Sequence, residues 1–176
     1  VVHFTQDGRP VSAKAGRLLL ALGRRPALDG LGLEQAGISL DGDGRRIVVD
    51  EWMTTSQSHI FAAGDVCSRV EVVHVAIQQG DIAARVAARR LGRPVSPEPK
   101  PMDYRLKLFG VFTDPQVATV GLSETEAAAA GREVVSASYP FDDHGKSMVM
   151  GETHGLVKLI ADARTDDAIA RMEIMR

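Results

Sequence analysis

Thr54-Thr55-Ser56-Gln57-Ser58-His59-Ile60-Phe61-Ala62-Ala63-Gly64-Asp65-Val66 is the stretch that orients the whole chain. Ile60 to Ala63 predicts a buried strand, ended by Gly64-Asp65. Small side chains let another object approach the backbone closely, and Gly64 keeps that approach open. Asp65, at the carboxyl end, can accept hydrogen bonds from the hydroxyls of a bound polyol or ribose. Ligands of open α/β sheets sit at such strand ends. Nine residues on, His74 begins a long helix whose free amides and positive dipole end face the same region. The alternative is an ordinary strand, an aspartate in a turn and a histidine near a helix start; spacing alone leaves both open.

That helix is predicted over about Val72 to Leu91, with Val73, Ile77, Gly80, Ala84, Ala87 and Leu91 as its apolar stripe. Arg85, Arg89 and Arg90 crowd its last turns, favourable at the negative end of the dipole, and Gly92 and Pro94 end it. Upstream, Val1 to Phe4 and Val11 to Lys14 flank Asp7-Gly8 as a hairpin. Arg17 to Leu22 is a continuous apolar run, the pattern of a strand buried on both faces. Leu31 to Ala36 is helix-like, and Ile38 to Leu40 with Ile47 to Val49 makes a second hairpin around Asp41-Gly42-Asp43-Gly44. Downstream, Pro94, Pro97, Pro99 and Pro101 forbid helix or sheet interior and predict a linker. Beyond it come a strand over Gly110 to Val120 broken at Asp114-Pro115, then a helix opened by the capping box Ser123 to Glu126 and closed by Gly131. Strands at Val134 to Tyr139 and Leu156 to Ala161 follow.

Composition limits the functions on offer. Of 176 residues, 44% are hydrophobic and 25% charged, and 21 Lys+Arg against 23 Asp+Glu leave a net charge of -2. No basic footprint for nucleic acid or anionic membrane follows from that balance, and no apolar run approaches the roughly 20 residues of a spanning helix. We therefore expect no nucleic-acid partner, no membrane partner and a cytoplasmic setting. Cys67 is the single cysteine, which excludes an internal disulfide, a cysteine zinc cluster and a CxxC pair. His3, His59, His144 and His154 show no ligand spacing, and Arg45-Arg46 breaks the calcium-loop pattern after Asp41, so no metal site is expected.

Five segments in register carry a resemblance. Thr54 to Val66 resembles the second flavin-binding motif of the pyridine nucleotide-disulfide oxidoreductases (class I), the family of dihydrolipoyl dehydrogenase and mercuric reductase. Leu18 to Pro26 resembles the family's LLVATGRRP strand and turn, Leu31 to Ile38 the segment after it, and Val72 to Ala76 the LAHxA helix start. Val111 to Gly121 resembles the opening of the family's dimerisation domain. The resemblance implies an α/β fold in three parts. Residues 1–26 would end a Rossmann-like NAD(P)-binding domain, 27–101 form the returning part of the FAD-binding domain plus a linker, and 102–176 a truncated α+β dimerisation domain.

It also implies FAD and NAD(P) as cofactors, with Gly23, Gly64, Asp65, Glu71, Val72, Val73, His74 and Ala76 as cofactor-binding positions. Asp65 would bond the ribityl chain, Glu71 to His74 would meet the isoalloxazine, and Gly23 would lie against the dinucleotide. Amides near His74 would stabilise negative charge on reduced flavin. Leu22 departs from the family's Thr or Ser. The implied partners are a second copy, as a homodimer, and a small-molecule or lipoyl disulfide substrate, with mercuric ion as the other acceptor. The dinucleotide fingerprint, the redox cysteine pair and the late His and Glu have no counterpart here, so no residue is assigned a catalytic role. The chain is expected to be an internal piece of the enzyme and inactive alone; the alternative is a non-enzymatic, flavin-independent dimerisation module. Cys67 is expected to be an inert, partly buried thiol. The sequence after Thr165 departs from the family, so the tail from Asp166 is expected not to pack as it does there.

Overall fold

Val75, Gln79, Ile82 and Val86 recur at helical spacing, and this is the face that α1 (Val73–Arg90) buries. The predicted stripe is overturned: Val73, Ile77 and Leu91 are exposed. The stripe through Val73, Ile77, Ala84, Ala87 and Leu91 is as apolar as the buried one. What decides the orientation is the loop 47–62 and Met102, which pack on Val75, Ile82 and Val86. Burying each of these three stabilises by about 1.5–3 kcal/mol. After α1 the chain is capped by Gly92 in the left-handed region, φ 70°, with Arg93 N–H donating to Ala88 O.

The computed structural model describes residues 1–68, 70–105, 107–165 and 168–175, and at 168 and 170–175 the backbone alone. The fold mixes α and β in the sequence order hairpin, loops, long helix, then an antiparallel sheet with two short helices. β1 (Val2–Gln6) and β2 (Arg9–Ala13) form the expected hairpin around Asp7-Gly8. Arg17 to Leu22 is not a strand. Leu19 and Leu22 are 89% and 93% exposed, because no described strand lies beside them to supply the ladder that a doubly buried strand requires. The second hairpin is reduced to one bridge, Leu40 with Ile47, and Ile60 to Ala63 to one, Thr54 with Phe61. Pro94 to Pro101 carries no helix or strand, as predicted.

The second half is a five-stranded antiparallel sheet in the order β3-β4-β7-β6-β5. Its strands are β3 (Leu108–Val111), β4 (Gln116–Gly121), β5 (Val134–Pro140), β6 (Gly155–Asp162) and β7 (Ala168–Met175). The break at Asp114-Pro115 is the turn between β3 and β4. α2 (Glu124–Ala129) opens with the predicted capping box: Ser123 Oγ accepts from Glu126 N–H, and the Glu126 carboxylate accepts from Ser123 N–H. α3 (Gly145–Met150) follows β5. The expectation for the tail needs correction from 168 onward. β7 pairs with both β4 and β6 at the centre of the sheet, its backbone N–H and C=O groups pointing alternately to the two neighbours. Asp166 and Asp167 lie outside the described residues. No described helix is long and apolar enough to cross a membrane.

Candidate functional site

Three segments build the site. The first is the loop ending in Gly64-Asp65, which folds around buried Thr55: its Oγ1 donates to Ile60 O at 2.9 Å and accepts from Gln57 N–H. Ala62 N–H donates to Met53 O. The chain then reverses at Gly64, φ 81°, where a Cβ would stand 3.5 Å from that of Ala76 on α1. Gly64 O closes the turn by accepting from Cys67 and Ser68 N–H. The side chain of Asp65 is thereby left on the outside, half-exposed, beside the first turn of α1.

That first turn is the second segment. Val72, extended, offers no side-chain acceptor to the leading amides, and no carboxylate stands among the first helical residues. The positive end of an 18-residue helix is therefore open to an anionic or electron-rich group. Arg90 works at the other end, donating to Ser58 O and to Thr54 Oγ1 and stacking 5.0 Å from the Phe61 ring. It fastens the loop to the helix as well as meeting the dipole.

Arg24 joins the site from the third segment. Its guanidinium lies 3.3 Å from Asp65 Oδ2 and 3.7 Å from Glu71 Oε2. Glu71 also pairs with the more buried Arg46 at 2.7 Å, and Arg46 Nε donates to Ser68 O. The Glu71 carboxylate is thus committed to two arginines. A cleft of about 780 Å³ gathers Asp65, Glu71, Val72, Val73, His74 and Ala76, with Arg24 and Ile77, against Leu108, Gly110 and Phe112. Six of the eight predicted positions line this one space, and Gly64 backs it through its contact with Ala76. Gly23 is the exception. It is exposed, at φ 103°, with open space around it, and reaches the site only through its neighbour Arg24.

Cys67 faces a different hollow, beside Arg46, Ser68 and Tyr104. Burial pushes its thiol up to about 11, so it stays protonated at neutral pH. No cluster of three or more His, Cys, Asp or Glu suited to a metal exists among the described residues. Two participants went unread in the sequence: Gln79, which accepts from Gly64 N–H at 2.7 Å, and its partner Tyr104. The signal for Gln79 was its place on the Val75, Ile82, Val86 face. A polar residue within an apolar stripe marks a buried hydrogen bond.

Two family models match the chain in tandem: pyridine nucleotide-disulphide oxidoreductase over residues 1–80, and the dimerisation domain of the same family over residues 109–171. The chain belongs to the pyridine nucleotide-disulphide oxidoreductases. A dihydrolipoyl dehydrogenase of Mycobacterium leprae is 38% identical over 164 residues, 93% of this chain and 34% of the relative. A mercuric reductase of Bacillus cereus is 39% identical over 165 residues, 93% of this chain and 25% of the relative. Among solved structures, LpdA from Mycobacterium tuberculosis superposes with a TM-score of 0.77 at 30% identity, covering 96% of this chain and 35% of that one. The HOCl-induced flavoprotein disulfide reductase RclA of Escherichia coli gives 0.75 at 26% identity, covering 98% and 38%. The chain spans about a third of the length of most of these oxidoreductases.

Proposed function

We propose that the chain supplies one wall of the flavin site and the dimer-forming sheet of an FAD-dependent oxidoreductase linking NAD(P)H to a dithiol/disulfide couple. The observation that carries this is the cleft in which Asp65 and the uncapped start of α1 share one space opposite β3. Members of this family use FAD and NAD(P)H, and the residues present fit a flavin: hydroxyl-accepting carboxylate, close backbone approach at Gly64, and free amides at a helix start. Asp65 would hold the ribityl hydroxyls, and the amides of Val73 and His74 would face the ring system. Gly23 would touch the dinucleotide through its backbone. Flavin, when bound, supplies the two-electron relay between nicotinamide and thiols. The chain's own contribution is binding and charge stabilisation, since it brings no redox cysteine pair to the cleft.

In this reading residues 1–26 end the NAD(P)-binding domain, 27–101 return to the FAD-binding domain with its linker, and 102–176 form the dimerisation domain. The homodimer would form through the sheet of the last part, and a cytoplasmic setting suits a reaction drawing on NAD(P)H. The preferred acceptor is a small-molecule or lipoyl disulfide, and mercuric ion is a second reading that rests on the 39% match to a mercuric reductase.

The test is to purify the full-length protein carrying these residues, record its flavin absorbance, and follow NADH and NADPH oxidation with lipoamide or mercuric ion. Bound FAD with lipoamide turnover is expected. Mercuric ion turnover alone moves the acceptor to the second reading, and a colourless protein that gains no flavin from added FAD overturns the proposal.

A further inference from the structure

Gln79 is 0% exposed, at the centre of the buried face of α1. Its partners leave only one orientation for the carboxamide. Gly64 N–H is a donor, so Oε1 faces it at 2.7 Å, and Nε2 is left to donate to Tyr104 Oη at 2.8 Å. The two bonds join three segments that are distant in sequence. One runs to the residue before Asp65. The other runs to the stretch that leads into β3, where Met102 N–H is held by Glu51 O and Lys107 O accepts from Gly121 N–H. Gln79 thus ties the Gly64–Asp65 turn to the stretch that leads into β3. A core glutamine serving stability alone needs no such placement, and its neighbours Val75, Ile82 and Val86 are all aliphatic.

We propose that Gln79 is a positioning residue of the flavin site, setting the Gly64–Asp65 turn against α1 and, through Tyr104, fixing that turn relative to β3. This rests on the flavin assignment above. Gln79 touches no ligand; it acts through the orientation of Asp65. Loss of its acceptor frees the Gly64 peptide to rotate, and the Asp65 carboxylate, which lies 3.3 Å from Arg24 in the ordered turn, then no longer keeps one direction toward the ribityl hydroxyls.

The experiment measures FAD dissociation constants by titrating the full-length apoprotein with FAD and following flavin fluorescence. Wild type is compared with Gln79→Leu, Gln79→Glu, Tyr104→Phe, Asp65→Ala and the Gln79→Leu/Asp65→Ala double variant, with thermal melts alongside. Gln79→Leu is expected to weaken FAD binding about tenfold. Gln79→Glu, which keeps an acceptor for Gly64 N–H, should restore it to within about threefold, and Tyr104→Phe should fall between. In the Asp65→Ala background Gln79→Leu should add less than about twofold, because its effect runs through Asp65. Equal losses in both backgrounds would overturn the proposal in favour of a purely structural role. So would wild-type affinity in both Gln79→Leu and Tyr104→Phe while Asp65→Ala is weakened. Should Gln79→Leu fail to fold, Tyr104→Phe alone and combined with Asp65→Ala gives the same comparison. A wild-type protein that binds no FAD overturns the flavin assignment itself, and with it this proposal.

Discussion

Asp65 owes its availability to the residue before it. Gly64 absorbs the reversal at φ 81°, and the carboxylate emerges beside an uncapped helix start, paired with the exposed Arg24. Replacing Asp65 by Ala in the full-length protein removes a charged acceptor of hydroxyl hydrogen bonds, so FAD retention should drop about 10- to 100-fold, read from flavin content after gel filtration. Cys67 behaves oppositely. With its thiol held at about 11 by burial, it should resist iodoacetamide at pH 8 while folded and react promptly once unfolded, as mass spectrometry would record. Asp65 and Cys67 were legible because a turn, a helix start and a lone cysteine each leave a local signature. Gln79 was harder to read: its place among Val75, Ile82 and Val86 marks a buried hydrogen bond, but its partners Gly64 and Tyr104, 15 and 25 residues away, leave no trace in a window of sequence.

α2 shows how far one element's stability can be assigned to named groups. Ser123→Ala deletes the acceptor at the helix start and should cost about 1 kcal/mol, measured by chemical denaturation. Glu126 is held at about 2, chiefly by its hydrogen bond to Lys107 at 2.6 Å and then by Ser123. A carboxylate depressed from 4.5 to about 2 on folding favours the folded state above pH 4.5, and that advantage drains away as pH falls toward 2. Glu126→Gln keeps the capping geometry and loses the charge. It should lower the melting temperature slightly at pH 7, by the equivalent of less than about 1 kcal/mol for a solvent-screened pair, and not at all near pH 2. In α1, Ile82→Ala should cost about 2–5 kcal/mol. The capping box, the hairpin at Asp7-Gly8 and the strands from 108 to 162 were readable because turn chemistry and alternation are local. Arg17 to Leu22 was not, because a doubly buried strand is defined by its neighbours, and which face of α1 turns inward was decided by Met53 and Met102.

Taken whole, the molecule leaves much apolar surface in water: Leu18 to Leu20, Leu22, Val73, Ile77, Phe112 and Val149 are all exposed. Such surface drives association. Residues 1–176 expressed alone should elute from gel filtration as oligomers and bind a hydrophobic dye, whereas the full-length protein should do neither beyond a dimer. The fold class could be read from the sequence, because the motifs occur in register along the chain. The sheet's strand order could not, since β4 and β7 are separated by two strands and two helices. That order has a temporal consequence. As the polypeptide leaves the ribosome, the β3–β4 and β5–β6 hairpins emerge complete, yet nothing joins them until β7 arrives to lie between. The two halves must wait side by side with open edges. The interval between synthesis of Asp162 and Met175 is therefore when a nascent chain is most exposed to capture by a chaperone or by the same hairpin of a neighbouring chain.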